Sequence, residues 1–281
     1  MKINVLDNGY VKLIEAYGTG IEGVGNDVFS QDNQSRNLDN DYEVGIIEAA
    51  RQSTQANFRG WEIWYCNTCR CSFSDKWKHY NNLGKICESV WSNDEKLLAF
   101  MSNNNHSTPF EFAGMVIEVK LPIFVAREWL RHRTQSYNEM SARYAPLPNE
   151  NYVPTEERLF LTQVKNKQAQ GIDGTKLIKD NAEQWLYNLT WIYGEIEKIY
   201  QEGLKFGISK EVARILLPVG RYTQMRASAN LRNWLGFCAL RSTKSNPNAQ
   251  WEIRQFADAV EEILSKTFPK TFQLFDSLRS K

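Results

Sequence analysis

The order of the secondary-structure signals predicts an α+β fold without a doubly wound sheet, because strands come early and helices late. Two observations carry this. The chain opens with apolar residues alternating at period two around a turn, and its second half carries apolar stripes at helical spacing. Ile3 and Val5 alternate with polar residues, Asp7-Asn8-Gly9 supplies the turn, and Val11 and Leu13 alternate on the return, which predicts a β-hairpin. Residues 18–40 are rich in Gly, Asn, Asp, Gln and Ser and read as loop. A short helix is expected from Tyr42 to Gln52, with Val44, Ile47 and Arg51 at helical spacing.

Residues at about 54–93 are aromatic, cysteine-rich and weakly periodic, and read as an inserted element. Asp94 is placed to cap a helix carrying Leu97, Leu98 and Met101. Met115 to Leu121 reads as a half-buried strand ended by Pro122, which also opens a helix running to Leu130. Further on, Trp185, Leu189, Ile192, Ile196 and Ile199 form an apolar stripe. Ser209 can cap a helix from Lys210 to Leu217 that Pro218 ends. A long helix is expected from Thr223 to Arg241, and another from Ala249 to Leu264 with Ile253, Phe256, Val260 and Ile263 inside.

Composition narrows the function classes. With 42% hydrophobic and 12% aromatic residues in 281, the chain can bury a core, so general disorder is excluded. No uncharged apolar run approaches the ~18 residues of a membrane-spanning helix. Asp7 interrupts the start before a secretory apolar segment can develop, so the expected location is the cytoplasm. The net charge of +1 gives no global argument for nucleic acid or an anionic membrane. Five cysteines in an unsecreted chain point to reduced thiols or a metal rather than a disulfide framework.

The local charge balance says more. Between Val212 and Trp251 there is no Asp or Glu, yet Arg214, Arg221, Arg226, Arg232, Arg241 and Lys244 lie there. Arg127 to Arg143 adds four arginines and His132 against Glu128 and Glu139. Guanidinium groups on partly apolar helices are costly to desolvate unless something anionic meets them. On the expected helix Arg226, Asn230 and Arg241 fall on one strip, so several phosphates at once are expected. A single arginine would more often be a solvated charge, and nucleic acid would usually recruit lysines as well.

Arg131-His132-Arg133, seven residues, then Ser141 is a specific spacing, RHRTQSYNEMS. It resembles the signature of the flavin-dependent thymidylate synthases. The approach NHSTPFEF…VKLPIFVAREWLRHR and the continuation SARYAPLP are similar too. So are EVARILLP, ANLRNWLGFCALR and AQWEIRQFA downstream, and MKINVLDNGYVKLIEA and IEAARQS upstream. The resemblance covers the chain apart from about 54–93, and implies one domain over 1–281 that carries this stretch as a family-atypical insertion. It implies an antiparallel sheet packed with several long helices in a homotetramer. The implied activity is reductive methylation of dUMP to dTMP. Methylenetetrahydrofolate would be the carbon donor and FAD, reduced by NADPH, the hydride carrier. The cofactor would do the hard chemistry while the protein positions and polarises.

By the same resemblance the flavin would meet Ser53, His106, Thr108, Arg131, His132, Arg133, Glu139, Asn230, Leu231, Arg232 and Gly236. The nucleotide would meet Glu128, Trp129, Leu130, Arg131, Glu139, Met140, Ser141, Ala142, Arg143, Arg214 and Arg241. Arg241 would be catalytic, a fixed cation beside the pyrimidine edge as N3 and O4 take up charge. Ser141 has no base pinned beside it in sequence and is read as a phosphate-binding hydroxyl rather than a nucleophile. Two positions depart from the family's pattern: Glu128, where Gln is common, and Gly236, where Asn or His is common. On an ideal helix Arg232 faces about 180° away from Arg241, which suits active sites formed between subunits.

Other signals compete less well. Gly18-Thr19-Gly20-Ile21-Glu22-Gly23 matches a dinucleotide-binding pattern, with acidic residues from Asp39 to Glu43. The segment after Gly23 lacks the periodicity of a phosphate-binding helix, so a loop is the better reading. Cys66, Cys69, Cys71, Cys87 and His79 offer enough ligands for tetrahedral zinc, against buried thiols among tryptophans. Cys238, between Phe237 and Ala239, reads as core. The rival functions are a nicotinamide-dependent dehydrogenase built on the glycines and a nucleic-acid-binding protein with a zinc element.

Overall fold

The computed structural model describes residues 1–19, 41–54, 56–61, 64–66, 72–73, 91–161 and 176–279, with the side chains at 64–66, 72–73 and 91–92 outside the description. The described strands are β1 Lys2–Val5, β2 Gly9–Tyr17, β3 Trp64–Cys66, β4 Ser72–Phe73, β5 Trp91–Ser92, β6 Gly114–Pro122, β7 Ser136–Glu139 and β8 Tyr222–Asn230. The described α-helices are α1 Val44–Arg51, α2 Asp94–Asn103, α3 Ile123–Trp129, α4 Glu156–Phe160, α5 Lys179–Lys205, α6 Lys210–Ala213, α7 Leu231–Arg241, α8 Trp251–Thr267 and α9 Pro269–Leu278. Five strands form a sheet in the order β1-β2-β6-β8-β7, with β1 and β2 antiparallel in the register Ile3 to Val11 and Val5 to Gly9. The architecture is α+β with an antiparallel sheet, as the hairpin and the late helices predict. Within the stretch read as an insertion, β4-β3-β5 form a separate small sheet.

The chain divides into two compact units. One comprises Met1–Lys12, Ile117–Ala227 and Ala239–Ala259; the other comprises Leu13–Val116, Ser228–Cys238 and Val260–Lys281. The first unit has a core of Val11, Ile117, Val119, Leu121, Val125, Trp129 and Met225 with Ile253 and Phe256 from α8, all buried. Burying each large apolar side chain contributes about 1.5–3 kcal/mol. Arg221 is also inside it. Its guanidinium donates to the Pro148 carbonyl (2.9 Å), to Asn149 Oδ1 (2.9 Å) and to Glu197 of α5. The second unit packs Val44, Ile46 and Ile47 of α1 with Leu98 and Met101 of α2, and holds Leu231, Trp234 and Phe237 of α7 in its core. The expected inner residues Val260 and Ile263 are also buried in this unit.

Three expectations need correction. Residues 222–230 are strand β8, not the first half of a helix, so Arg226 and Asn230 do not share a helical strip with Arg241. β8 alternates buried with less buried positions, and pairing with its neighbours overrides the helix-forming Met, Arg and Ala in it. Asn93, not Asp94, caps α2: its side chain accepts from the Lys96 N–H at 2.8 Å. Asp94 is instead a buried carboxylate that receives Arg51 Nε at 3.0 Å and the backbone N–H groups of Arg59 (2.6 Å) and Gly60 (2.9 Å). Ser209 precedes α6 without a side-chain cap, and that helix stops at Ala213, with Arg214–Leu216 a 3-10 turn. The apolar stripe lies on α5 as its spacing predicts and faces outward: Trp185, Ile192 and Ile199 are 49%, 40% and 53% exposed.

Candidate active site

β6 ends at Pro122, whose extended backbone starts α3 at Ile123. The helix stops after Trp129, and the Arg-His-Arg run forms the turn beyond it. Trp129 is core rather than lining: it is fully buried, its indole N–H donates to Gln135 Oε1 at 3.0 Å, and its ring stands edge-on to Phe256. The Tyr137 hydroxyl reaches the His132 carbonyl at 2.8 Å and the Trp129 carbonyl at 3.2 Å. Burial pushes this phenol up to about 12, so it stays a donor. Gln135 and Tyr137 thus fix the turn from below. Both lie among the seven unspecified residues of the motif, where only their capacity for hydrogen bonding from an apolar setting marks them.

His132 meets Arg241, the last residue of α7. Arg241 Nε donates to His132 Nε2 at 3.1 Å, Nη1 lies 3.2 Å from Glu128 Oε2, and Nη2 reaches the Glu128 carbonyl at 3.5 Å. An arginine can only donate, so Nε2 carries no proton and the imidazole is the Nδ1–H tautomer. Burial first, and then the Arg241 charge, hold His132 down to about 4, with Glu128 pulling the other way. At neutral pH this is a neutral imidazole orienting a guanidinium. Beside it, Glu128, Leu130, Arg131 and Arg133 line a cavity of about 530 Å³, within the size range of small-molecule sites.

The remaining nucleotide-binding candidates lie beyond the turn. Glu139 ends β7 and accepts from Thr223 Oγ1 at 2.7 Å, while the exposed Met140 joins its N–H to the Gln224 carbonyl at 2.8 Å. Ser141 Oγ accepts from the Arg143 N–H at 3.3 Å. Among the described residues no imidazole or carboxylate hydrogen-bonds this hydroxyl, so the geometry offers it no base. Ala142 is buried, and Arg143 lies 3.3 Å from Glu211 Oε2. Arg214 Nε donates to the Glu211 carbonyl at 3.3 Å, so α6 gathers Arg143 and Arg214 around one residue that the charge count did not single out.

In the other unit a second group assembles. Ser53 lies exposed in the 3-10 turn Gln52–Thr54 that comes after α1, and α1 packs on the turn Thr108–Glu111. Thr108 and His106 are exposed, with His106 edge-on to Phe100 at 5.5 Å. Arg232 pairs with Glu111 of that turn at 2.5 Å. Asn230 Oδ1 accepts from the Asn233 N–H at 3.0 Å at the start of α7. Leu231 is buried and spends its N–H on the Ala113 carbonyl. Gly236 is exposed, and a Cβ built there meets nothing within 4 Å.

A family profile described as "Thymidylate synthase complementing protein" matches residues 39–270. The chain belongs to the flavin-dependent thymidylate synthase family. A flavin-dependent thymidylate synthase of Thermosipho melanesiensis is 38% identical over 182 residues, covering 65% of this chain and 76% of that protein. Another, of Thermosipho africanus, is 39% identical over 185 residues with the same shares covered. Among solved structures, the UMP/dUMP methylase PolB of Streptomyces cacaoi, bound with 5-Br dUMP, superposes with a TM-score of 0.67. That match covers 98% of this chain and 97% of the other at 24% identity, a likeness of fold.

As a member of the family, this chain shows what its two departures do locally. Glu128 is the acidic partner of Arg241, so the carboxylate that lines the cavity is met by an arginine. Gly236 has open space beside it, so nothing in this fold excludes a side chain there. The glycine pattern begins at Gly18, whose φ of +125° and contact with the Tyr42 carbonyl leave no room for a Cβ. Gly18 is thus required by packing; residues 20–40, with the rest of the pattern and Asp39, lie outside the described residues. The side chains of Cys66, Cys69, Cys71, His79 and Cys87 also lie outside them, and no metal-binding group occurs among the described residues. Cys238 is buried. No described helix is long and apolar enough to cross a membrane.

Proposed function

We propose that this chain is a thymidylate synthase that converts dUMP to dTMP, taking its carbon from methylenetetrahydrofolate and its reducing equivalents from NADPH through FAD. Uracil C5 would lose its proton, gain the one-carbon unit, and have that unit reduced to methyl by a hydride; the flavin, when bound, supplies the hydride. The observation that carries the reading is the Arg241 guanidinium, oriented by neutral His132 beside a cavity that Arg131 and Arg133 line. A cation held in place before the reaction stabilises charge developing on the pyrimidine without reorganising. Arg131, Arg143 and Arg214 offer donors for the phosphate, with Ser141 as a hydroxyl donor. The side chains of Ser53, His106, Thr108, Asn230 and Arg232 suit the diphosphate and hydroxyls of FAD.

A homotetramer is part of the same proposal. α5 spans 27 residues and buries only Ala182 and Tyr200, leaving its apolar stripe outward. An exposed stripe of this kind on a long helix fits contact with another copy. Past Gly18 and Thr19, the glycine pattern of the dehydrogenase reading and the candidate zinc-ligating side chains of the nucleic-acid binder lie outside the described residues. The test is the visible spectrum of the purified protein, then anaerobic NADPH, dUMP and methylenetetrahydrofolate. Flavin bands near one per subunit, bleached by NADPH and succeeded by dTMP, are expected. A colourless protein that FAD cannot reconstitute would overturn the cofactor assignment.

A further inference from the structure

Glu128 is the one acidic residue among the four that line the cavity, and it is spent on Arg241. Its side chain is 41% exposed while that of Arg241 is 20% exposed, so the carboxylate stands on the open side of the pair. Arg241 is otherwise held by groups that accept without charge, His132 Nε2 and the Glu128 carbonyl. With Arg131 and Arg133, the three guanidinium groups and the single carboxylate sum to +2; removing the carboxylate makes it +3. We propose that Glu128 is the resident counter-ion of Arg241, a built-in competitor that an anionic ligand must displace to engage that guanidinium. This rests on the nucleotide reading for the ligand's identity, but not for the displacement itself.

A ligand gains Arg241 only by supplying at least the interaction that Glu128 gives up, so the affinity of every anion is lowered by the same factor and a weakly held one stays off the site. The backbone carbonyl and His132 keep the guanidinium oriented during the exchange, so release costs position little. A partly exposed ion pair is worth about 0.2–1 kcal/mol, and since Arg241 is mostly buried the top of that range applies, which corresponds to about fivefold in affinity.

The test compares the wild type with Glu128→Gln, and with Glu128→Asp as a second variant that keeps the charge on a shorter stem. Phenylglyoxal modification is mapped by mass spectrometry at Arg241, with Arg279, paired to Glu261 and Asp276, as internal reference. Glu128→Gln is expected to speed modification of Arg241 several-fold with Arg279 unchanged, and Glu128→Asp to fall between. Inorganic phosphate should protect Arg241 at about fivefold lower concentration in Glu128→Gln than in the wild type. Unchanged reactivity at Arg241, or protection that needs more phosphate, overturns the proposal. A calorimetric titration with dUMP runs beside it. Tighter dUMP binding by Glu128→Gln joins the two readings, while phosphate protection as expected without dUMP binding to either protein sinks the nucleotide assignment and leaves the counter-ion role standing.

Discussion

Removing the Asp94 carboxylate tests how the α1 end of the second unit is built. Asp94 is fully buried and Arg51 is 7% exposed, so the pair sits away from solvent screening. The carboxylate takes two N–H groups of Arg51 on Oδ1 and the backbone N–H groups of Arg59 and Gly60 on Oδ2. Asp94→Ala takes the buried carboxylate from the Arg51 guanidinium and from two backbone donors at once. Breaking one side of a buried pair typically costs about 3–5 kcal/mol. For a chain of this size each kcal/mol lowers Tm by about 2–4 °C, so a fall of about 12 °C is expected. Asp94→Asn keeps acceptor capacity without the charge and should lose roughly half as much. Arg51→Met combined with Asp94→Ala should be less destabilised than the sum of the single changes, since no charge is left stranded. Thermal and urea unfolding tracked by circular dichroism give these values. Because Ser53 comes directly after α1, flavin content should fall with the single variants. An Asp94→Ala protein within about 1 kcal/mol of wild type would refute the reasoning and mean that water satisfies Arg51.

Four further outcomes are expected. Arg241→Ala should lower turnover by about 10²–10³-fold with the fold intact, the usual loss for one positioned electrostatic donor, read from dTMP formation and circular dichroism. Ser141→Ala should keep substantial turnover; complete loss with dUMP binding intact would instead make Ser141 the nucleophile. His132 is held down to about 4 against 6.5 when unfolded, so the unfolded chain takes up its proton first and stability should decline as pH falls from 6.5 to about 4; His132→Gln should flatten that part of the profile of unfolding free energy. Ile192→Asp, placed on the exposed face of α5, should shift the mass seen by light scattering from tetramer toward smaller species, and an unchanged mass would remove α5 from the interface.

The parts of the fold legible in sequence are those whose information is local. The opening hairpin needs only two alternating runs and Asp7-Asn8-Gly9 between them, and β1 pairs with β2 in that register. α8 needs only its own stripe, and Ile253, Phe256, Val260 and Ile263 are all buried. β8 fails because past Tyr222 and Thr223 its residues carry no strong strand preference; its place beside β6 and β7 decides its conformation, and that neighbour relation spans about 100 residues of chain. α5 is a different case. Its helix is where the stripe puts it, but an apolar stripe states only that something covers it, and among the described residues the chain leaves Trp185, Ile192 and Ile199 outward.

The arginines show the same limit in the site itself. A window without acids from Val212 to Trp251 implies unmatched cations only if partners must be near in sequence. In the fold each arginine of that window finds a partner elsewhere: Arg221 takes Glu197, Arg226 lies 3.8 Å from Glu118, Arg232 takes Glu111, Arg241 takes Glu128, and Arg214 bonds the Glu211 carbonyl. Arg221 is therefore structural, being fully buried among fixed acceptors, and was never available to a phosphate. Arg214, Arg226 and Arg232 remain solvent-exposed, where an ion pair or carbonyl contact is weak and an anionic ligand can replace it. What separates a structural arginine from one that can bind is thus whether both members of its pair are largely buried, as Arg221 and Glu197 are, rather than whether it has a partner. By that measure Arg241, mostly buried but paired to a carboxylate that faces the cavity, is built to exchange partners.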